Sequence, residues 1–322
     1  MKVIAGTREF QIKEPTVVTI GKFDGRHKGH QKLLREMLAL KEQKGLSTAV
    51  FTFDMAPAGV VSGKNQSLIT TNQERRNNME KMGIDYMVEY PFDQQVARML
   101  PEEFVAEILA GRMSARAIVA GTDCGFGYKR AGNADLLKRL GSVHGYETVI
   151  IEKEQDEHRD ISSTYVREQL GAGNIGKANE LLGEPYAIHG EVVHGNHIGA
   201  PVLGFPTANL LPPPEKYLPR FGVYVSRVLV DGRYYGGVTN IGRKPTITGE
   251  NPVGVETFIL GLGENPDIYG KNIEVQLLDF DRPEQRFAGL DALKERIELD
   301  KQYAEEYFRK HPCWLQGESK GK

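Results

Sequence analysis

Cysteine is scarce in this sequence, and net positive charge and long apolar runs are lacking; each shortage closes off a class of protein. Only Cys124 and Cys313 occur in 322 residues, too few for a disulfide framework. Both read as reduced thiols, and neither is placed like a nucleophile. The formal net charge is -2, which leaves no strong basic footprint for nucleic acid. No uninterrupted apolar stretch approaches the ~20 residues of a membrane span, and residues 1–8 lack the apolar segment of a secretory signal. The expectation is a cytoplasmic protein with no nucleic-acid or membrane partner, a monomer or weak homo-oligomer. A chain of this length predicts two domains and ample core.

The texture of the chain changes once. Up to about Leu182, strand-like runs at 17–20, 48–53, 86–89, 117–120 and 148–151 alternate with amphipathic stretches at 31–44, 72–82, 101–110, 135–140 and 163–170. That alternation predicts a doubly wound parallel sheet with helices on both faces, a Rossmann-like α/β domain. From Tyr186 onward strand follows strand, at 188–193, 223–230, 234–240, 255–260 and 273–278, with turn signals such as Asp231-Gly232 and Tyr269-Gly270 between them. This half reads as a small antiparallel β-barrel, closed by an amphipathic helix over 290–308. The boundary falls at Gly183-Glu184-Pro185, giving domains 1–183 and 184–322.

Between the β-branched run ending at Ile20 and the helical face of Leu33, Leu34, Met37, Leu38 and Leu40 stands Gly21-Lys22-Phe23-Asp24-Gly25-Arg26-His27-Lys28-Gly29-His30. A glycine-rich turn that opens a helix offers unpaired N–H groups and the positive end of the helix dipole, which suits a phosphate chain. His27 and His30 can donate to phosphate oxygens as charge builds in a nucleotidyl-transfer transition state. Metal ligation fits less well, because helical ligand pairs are usually spaced by four and no cysteine lies near.

Two clusters of the first half belong with the histidines. Ser162, Ser163 and Thr164 sit at a predicted helix start with Arg167 one turn later. They can simply cap the helix, or cradle an oxyanion onto which the guanidinium forks. Gly121 to Asn133 follows a strand but lacks dinucleotide-loop spacing. It reads as a flexible lid, or as a seat for a planar heterocycle with Phe126 and Tyr128 stacking and Asp123 bonding a polar edge.

In the second half, Gly204-Phe205-Pro206-Thr207-Ala208-Asn209 places Thr207 and Asn209 on one side of an extended segment, two hard oxygen donors suited to Mg²⁺ with phosphates. Such a segment can also be a turn with local side-chain bonds. Glu256 stands in a strongly β-forming run, where it serves either an ion pair or as a general base for a hydroxyl.

These motifs, in this order, resemble the bacterial bifunctional riboflavin kinase/FMN adenylyltransferases, over nearly the whole chain. The resemblance implies a nucleotidyltransferase domain and a riboflavin kinase barrel that use Mg²⁺, ATP and flavins. Gly21, Lys22, Phe23, Asp24 and Gly25, with Ser162, Ser163, Thr164 and Arg167, are then expected at the adenylyltransferase ATP, with His27 and His30 catalytic. Asp123, Phe126, Tyr128 and Arg130 are expected at its flavin. In the barrel, Gly204, Pro206, Thr207 and Asn209 are expected at ATP, Thr207 and Asn209 at Mg²⁺, and Glu256 as catalytic base, while Asn240 to Thr246 match the rest of the kinase module. The chain departs from the family pattern at Ala56, where a histidine is usual, and at Ala200-Pro201, where a basic residue usually follows the glycine.

Overall fold

The structure, a computed structural model, describes residues 1–54, 67–193, 207–243, 253–262 and 268–315. Ala56, Ala200-Pro201, Gly204 to Pro206 and Lys244 to Thr246 lie outside the described residues. The chain forms two compact units, Met1–Ser163 and Thr164–Lys322.

In the first unit the elements run β1 (Lys2–Ala5), β2 (Thr16–Ile20), α1 (Lys28–Lys44), β3 (Ser47–Phe53), α2 (Asn72–Lys81), β4 (Tyr86–Tyr90), β5 (Ala115–Gly121), α3 (Ala134–His144) and β6 (Glu147–Ile151). The six strands are all parallel, in the order β1-β4-β3-β2-β5-β6. Successive strand residues serve opposite faces. Val18, Ala49, Phe51, Val88 and Ile118 pack with Phe104, Ile108 and Leu137. Val17, Val50, Met87, Ala117 and Val119 pack with Leu34, Met37, Leu40 and Met79. Each strand is thus apolar on both sides, which is why these runs lack polar alternation and why helices must cover both faces. The expected doubly wound sheet is present. The stretch read as an amphipathic helix over 101–110 is a single turn, Pro101–Glu103, running into a π-helical segment, Phe104–Arg112. A small hairpin, β7 (Gln155–Asp156) and β8 (Arg159–Asp160), follows β6.

The second unit holds α4 (Ser163–Ala172, whose first residue closes the first unit), α5 (Ile175–Leu182), β9 (Tyr186–Val193), β10 (Thr207–Leu210), β11 (Gly222–Val230), β12 (Arg233–Arg243), β13 (Val253–Ile259), β14 (Asn272–Pro283) and α6 (Leu290–Lys310). Its strands close an antiparallel barrel in the order β10-β13-β12-β11-β14-β9. Five of the six are the strands expected from sequence; the sixth, β10, is the segment that carries Thr207 and Asn209. Helices α4 and α5 fasten to the barrel: the Asn179 amide donates to the Leu277 carbonyl at 2.8 Å, and the Arg220 N–H to the Leu170 carbonyl at 2.9 Å. The compact units therefore divide ahead of both helices, whereas the change from helix-rich to strand-rich text comes after them, at Gly183. The final helix packs Ala304 and Phe308 against Val225 and Leu278. It is anchored by Arg282, whose Nε and Nη2 reach the buried Asp300 carboxylate at 2.9 and 2.7 Å. Ser226, Thr239 and Thr257, all fully buried, form a hydroxyl ladder across three strands, with O–O distances of 2.7 and 2.8 Å.

Candidate active sites

The order of the parallel sheet reverses between β2 and β5, since the chain winds outward from β2 through β3 and β4 and then restarts at β5 on the other side. Open α/β sheets bind ligands outside the carboxyl ends of their strands at such a switch point. The Gly21 to His30 turn leaves β2 there, and the Gly121 to Asn133 loop leaves β5 beside it.

His27 itself caps α1, with extended dihedrals and its Nδ1 accepting from the His30 N–H at 3.4 Å. The helix therefore starts at Lys28, earlier than the apolar face alone suggested. The two imidazoles stack, with centroids 3.8 Å apart and planes 20° apart, and the ring of Phe23 lies 5.0 Å from that of His30. Phe23 is fully buried at φ +50°, in the left-handed region that bulky residues avoid. Gly25 is also left-handed, at φ +61°, and a Cβ there would stand 2.7 Å from the Ile69 side chain. A reciprocal clasp holds this turn from α2's side: Asp24 Oδ1 accepts from the Thr70 N–H at 3.1 Å, and the Gly25 N–H donates to Thr70 Oγ1 at 3.0 Å. Ser163 Oγ, in the last residue of the first unit, donates to the Asp24 carbonyl at 2.7 Å and so holds the Gly21 to His30 turn at that point.

Burial lowers the pKa of His27 to about 4, with the Asp123 carboxylate acting against it. Burial, and secondarily the neighbouring His27, also holds His30 well below the usual histidine range. Both rings are thus neutral near pH 7. Because Nδ1 of His27 accepts, its one N–H is on Nε2, a neutral donor of the kind that can meet a developing phosphate charge.

The loop after β5 is only partly a presenting surface. Asp123 is exposed and 3.3 Å from Lys153 Nζ, which also pairs with Asp160 at 2.8 Å. Tyr128 is exposed, with Lys129 Nζ 5.2 Å from its ring centre. Phe126 is buried in the core, its ring 5.8 Å from Phe104 and so close to Gly132 that a Cβ there would stand 2.5 Å away. It anchors the loop and does not offer a free face. Arg130 turns back, donating to the Asp123 carbonyl at 3.4 Å. Cys124 has its thiol pKa pushed up to about 11, chiefly by burial, which disposes of it as a nucleophile. A cavity of about 470 Å³, lined by Thr122, Asn133, Asp135, Lys138 and Glu152 among others, opens at the carboxyl ends of β5 and β6. Thr164 and Arg167 lie on the first turns of α4, with the Arg167 carbonyl accepting from the Tyr217 hydroxyl at 3.1 Å.

In the barrel, register does the assembling. Asn209 on β10 stands directly opposite Glu256 on β13, and Asn240 on β12 stands opposite Glu256 on its other side. Directly paired residues share a face, so the three side chains project together, away from the face of Thr239 and Thr257. Thr207 shares that face two residues before Asn209, whose Nδ2 donates to the Thr207 carbonyl at 3.1 Å. With the amide nitrogen so engaged, Oδ1 of Asn209 and the Thr207 hydroxyl form a pair of hard oxygen donors, the chemistry that Mg²⁺ takes.

Sequence reasoning passed over Thr70, Arg75 and Glu89, which brace the turn after β2, and left Asn240 without a role. The Thr71-x-x-Glu74 capping box, seen here in both its hydrogen bonds, was the available signal that Thr70 is held rigidly at a helix start.

The FAD synthetase family matches residues 9–165, and the riboflavin kinase family residues 182–308. The bifunctional riboflavin kinase/FMN adenylyltransferase of Escherichia coli (strain K12) is 35% identical, over 96% of this chain and 98% of that protein. The protein of the same name from Bacillus subtilis (strain 168) is 34% identical over 94% of each. A crystal structure from Streptococcus pneumoniae, described as a macrolide-efflux protein, superposes with a TM-score of 0.84 at 31% identity, covering 94% of this chain and 98% of that one. Among the described residues of the present chain no helix is long and apolar enough to cross a membrane. With full-length relatives at this identity and both halves matched in order, the chain belongs to the bifunctional riboflavin kinase/FMN adenylyltransferase family.

Proposed function

We propose that this chain makes FAD from riboflavin in two ATP-dependent steps, kinase chemistry on the barrel and adenylyl transfer at the switch point of the parallel sheet. The division of labour follows residues 1–183 and 184–322. The observation that carries the reading is the barrel register, which sets a single carboxylate, Glu256, between Asn209 and Asn240 and one strand away from the Thr207 hydroxyl.

In the first step Glu256 takes the proton of the terminal ribityl hydroxyl, whose oxygen attacks the γ-phosphorus of ATP, and the bond to ADP breaks. Thr207 and Asn209 would hold Mg²⁺, which neutralises charge on the transferring phosphate. Gly204 and Pro206, which precede them in sequence and lie outside the described residues, are proposed to bind the same ATP. In the second step a phosphate oxygen of FMN attacks the α-phosphorus of a second ATP and pyrophosphate leaves. Residues Gly21 to Gly25 seat the triphosphate, His27 and His30 steady the developing negative charge, and Ser162, Ser163, Thr164 and Arg167 receive the departing pyrophosphate. Asp123, Tyr128 and Arg130 face the flavin, with Phe126 behind them. No nucleophile from the protein is needed, because positioning and electrostatics carry both steps. The protein works in the cytoplasm on small molecules, as a monomer or weak homo-oligomer, with neither nucleic acid nor membrane as a partner.

A chromatographic time course with riboflavin, ATP and Mg²⁺, repeated from FMN, tests this. FMN followed by FAD is expected. FMN alone would show the first domain inactive despite its histidines, and no product would leave a flavin-binding role.

A further inference from the structure

Beneath the turn after β2 lies a buried ion cluster to which neither reaction assigns a part. Arg75 on α2 and Glu89 on β4 are 5% and 1% exposed, and their charged groups approach to 3.5 Å. Arg76 joins the same carboxylate, its Nε at 3.1 and 3.2 Å from the two oxygens. Taking such charges out of water is costly, so a pair this deep is weak evidence of stabilisation for its own sake. What Arg75 holds is more informative. Its Nη1 donates to the Lys22 carbonyl at 3.0 Å, and its Nη2 donates to Asn72 Oδ1 at 3.0 Å and to the Phe53 carbonyl at 3.4 Å. One planar guanidinium thus ties the turn after β2 to the ends of β3 and α2.

The Lys22 carbonyl belongs to the peptide that leads into Phe23, the residue at positive φ. A conformation of that kind is strained and persists only where its surroundings over-determine it. Phe23 in turn packs beside the His30 ring and under Gly21, where a Cβ would stand 2.9 Å from the Phe23 ring. The connection runs from Glu89 through Arg75 to the Lys22 carbonyl, then through Phe23 to His30.

We propose that Arg75, charge-balanced by Glu89, is a positioning residue for adenylyl transfer that fixes the turn from Gly21 to Gly25 against His30. This rests on the assignment of that turn and of His30 to the adenylyltransferase reaction.

The test uses the full chain with Arg75→Lys, Arg75→Met and Glu89→Gln, and His30→Ala as reference. Three quantities are measured: kcat and KM for FAD formation from FMN, FMN formation from riboflavin in the same preparation, and hydrogen exchange of peptides spanning residues 21–26. Misplacing reacting groups by about 1 Å can cost ~100-fold, so Arg75→Met and Glu89→Gln are expected to lower kcat for FAD formation about 10- to 100-fold. KM for FMN and the kinase rate should hold, exchange should quicken at residues 21–26 alone, and Arg75→Lys should recover part of the rate. A kcat equal to the wild type in the folded variants, or one that falls only in proportion to unfolded protein, overturns the proposal. If Arg75→Met does not fold, Glu89→Gln decides it by the same kcat and exchange criteria. An active His30→Ala would instead remove the assignment on which the proposal rests, while an inactive His30→Ala beside fully active Arg75 and Glu89 variants removes the proposal alone.

Discussion

The imidazole of His27 lies stacked on that of His30, 3.8 Å between ring centres, with one nitrogen of His27 already taken by the His30 backbone. Each ring therefore has a fixed orientation before any substrate arrives. Removing one preorganised donor to a transition-state charge costs roughly 10²–10³ in rate. His30→Ala should depress FAD formation by about that factor and leave FMN formation from riboflavin at its wild-type rate. A loss of both activities together would contradict separate sites.

The converse holds in the barrel. Glu256→Gln keeps shape and hydrogen bonding but cannot accept the ribityl proton, and general bases contribute typically ~10²–10⁴. FMN formation should fall by about that range, while FAD made from supplied FMN should be unchanged. Steady-state rates from the two starting flavins read this directly.

The histidine burial has a pH signature. In the unfolded chain His27 titrates near 6.5, and in the folded protein burial lowers it to about 4. Between those values the unfolded chain binds the extra proton, so this contribution to stability is whole above 6.5 and is lost as pH falls toward 4, up to about 3 kcal/mol. His30 acts in the same direction. Urea unfolding across that window should show falling stability in the wild type and a flatter dependence in His27→Gln. Identical slopes would mean that the rings are not buried neutral.

The hydroxyl ladder in the barrel makes a prediction for stability alone. Thr239 bonds to both Ser226 and Thr257. Thr239→Val is nearly isosteric but leaves two buried hydroxyls short of a partner, at about 1–3 kcal/mol. Thermal unfolding should show the barrel destabilised, with FAD formation from FMN retained at temperatures below its transition.

The parallel sheet was legible because buried parallel strands need apolar residues on both sides, and runs such as Val17-Val18-Thr19-Ile20 show no alternation to mistake for an exposed face. The turn after β2 was legible for a second reason, since glycines, aspartate and a helix start follow each other at fixed spacing. Its bracing was not. Arg75 lies on a helix where Met79 is the one apolar residue between Asn72 and Lys81, so it reads as one more charge on the wet side, and Glu89 sits in a strand where a lone carboxylate looks like a solvent-facing residue. Only the pairing of β4 beside β3, and of α2 above both, brings the two charges together under Lys22. The burial of Phe126 was not legible either, since an aromatic in a glycine-rich loop looks exposed until the core behind it is known. In the barrel, a proline-led motif hid a strand, and Asn240, matched to the kinase module without a role of its own, gained a place only once register set it beside Glu256.

That each unit has a core of its own also bears on metabolic control. One messenger RNA delivers both catalysts in equal copy number, so expression can scale them but cannot change their ratio. The balance between accumulated FMN and finished FAD must then be set by the turnover numbers written into the two sites and by the supply of substrates. A single substitution at either site would shift that balance as effectively as a change in dosage would for two separate enzymes.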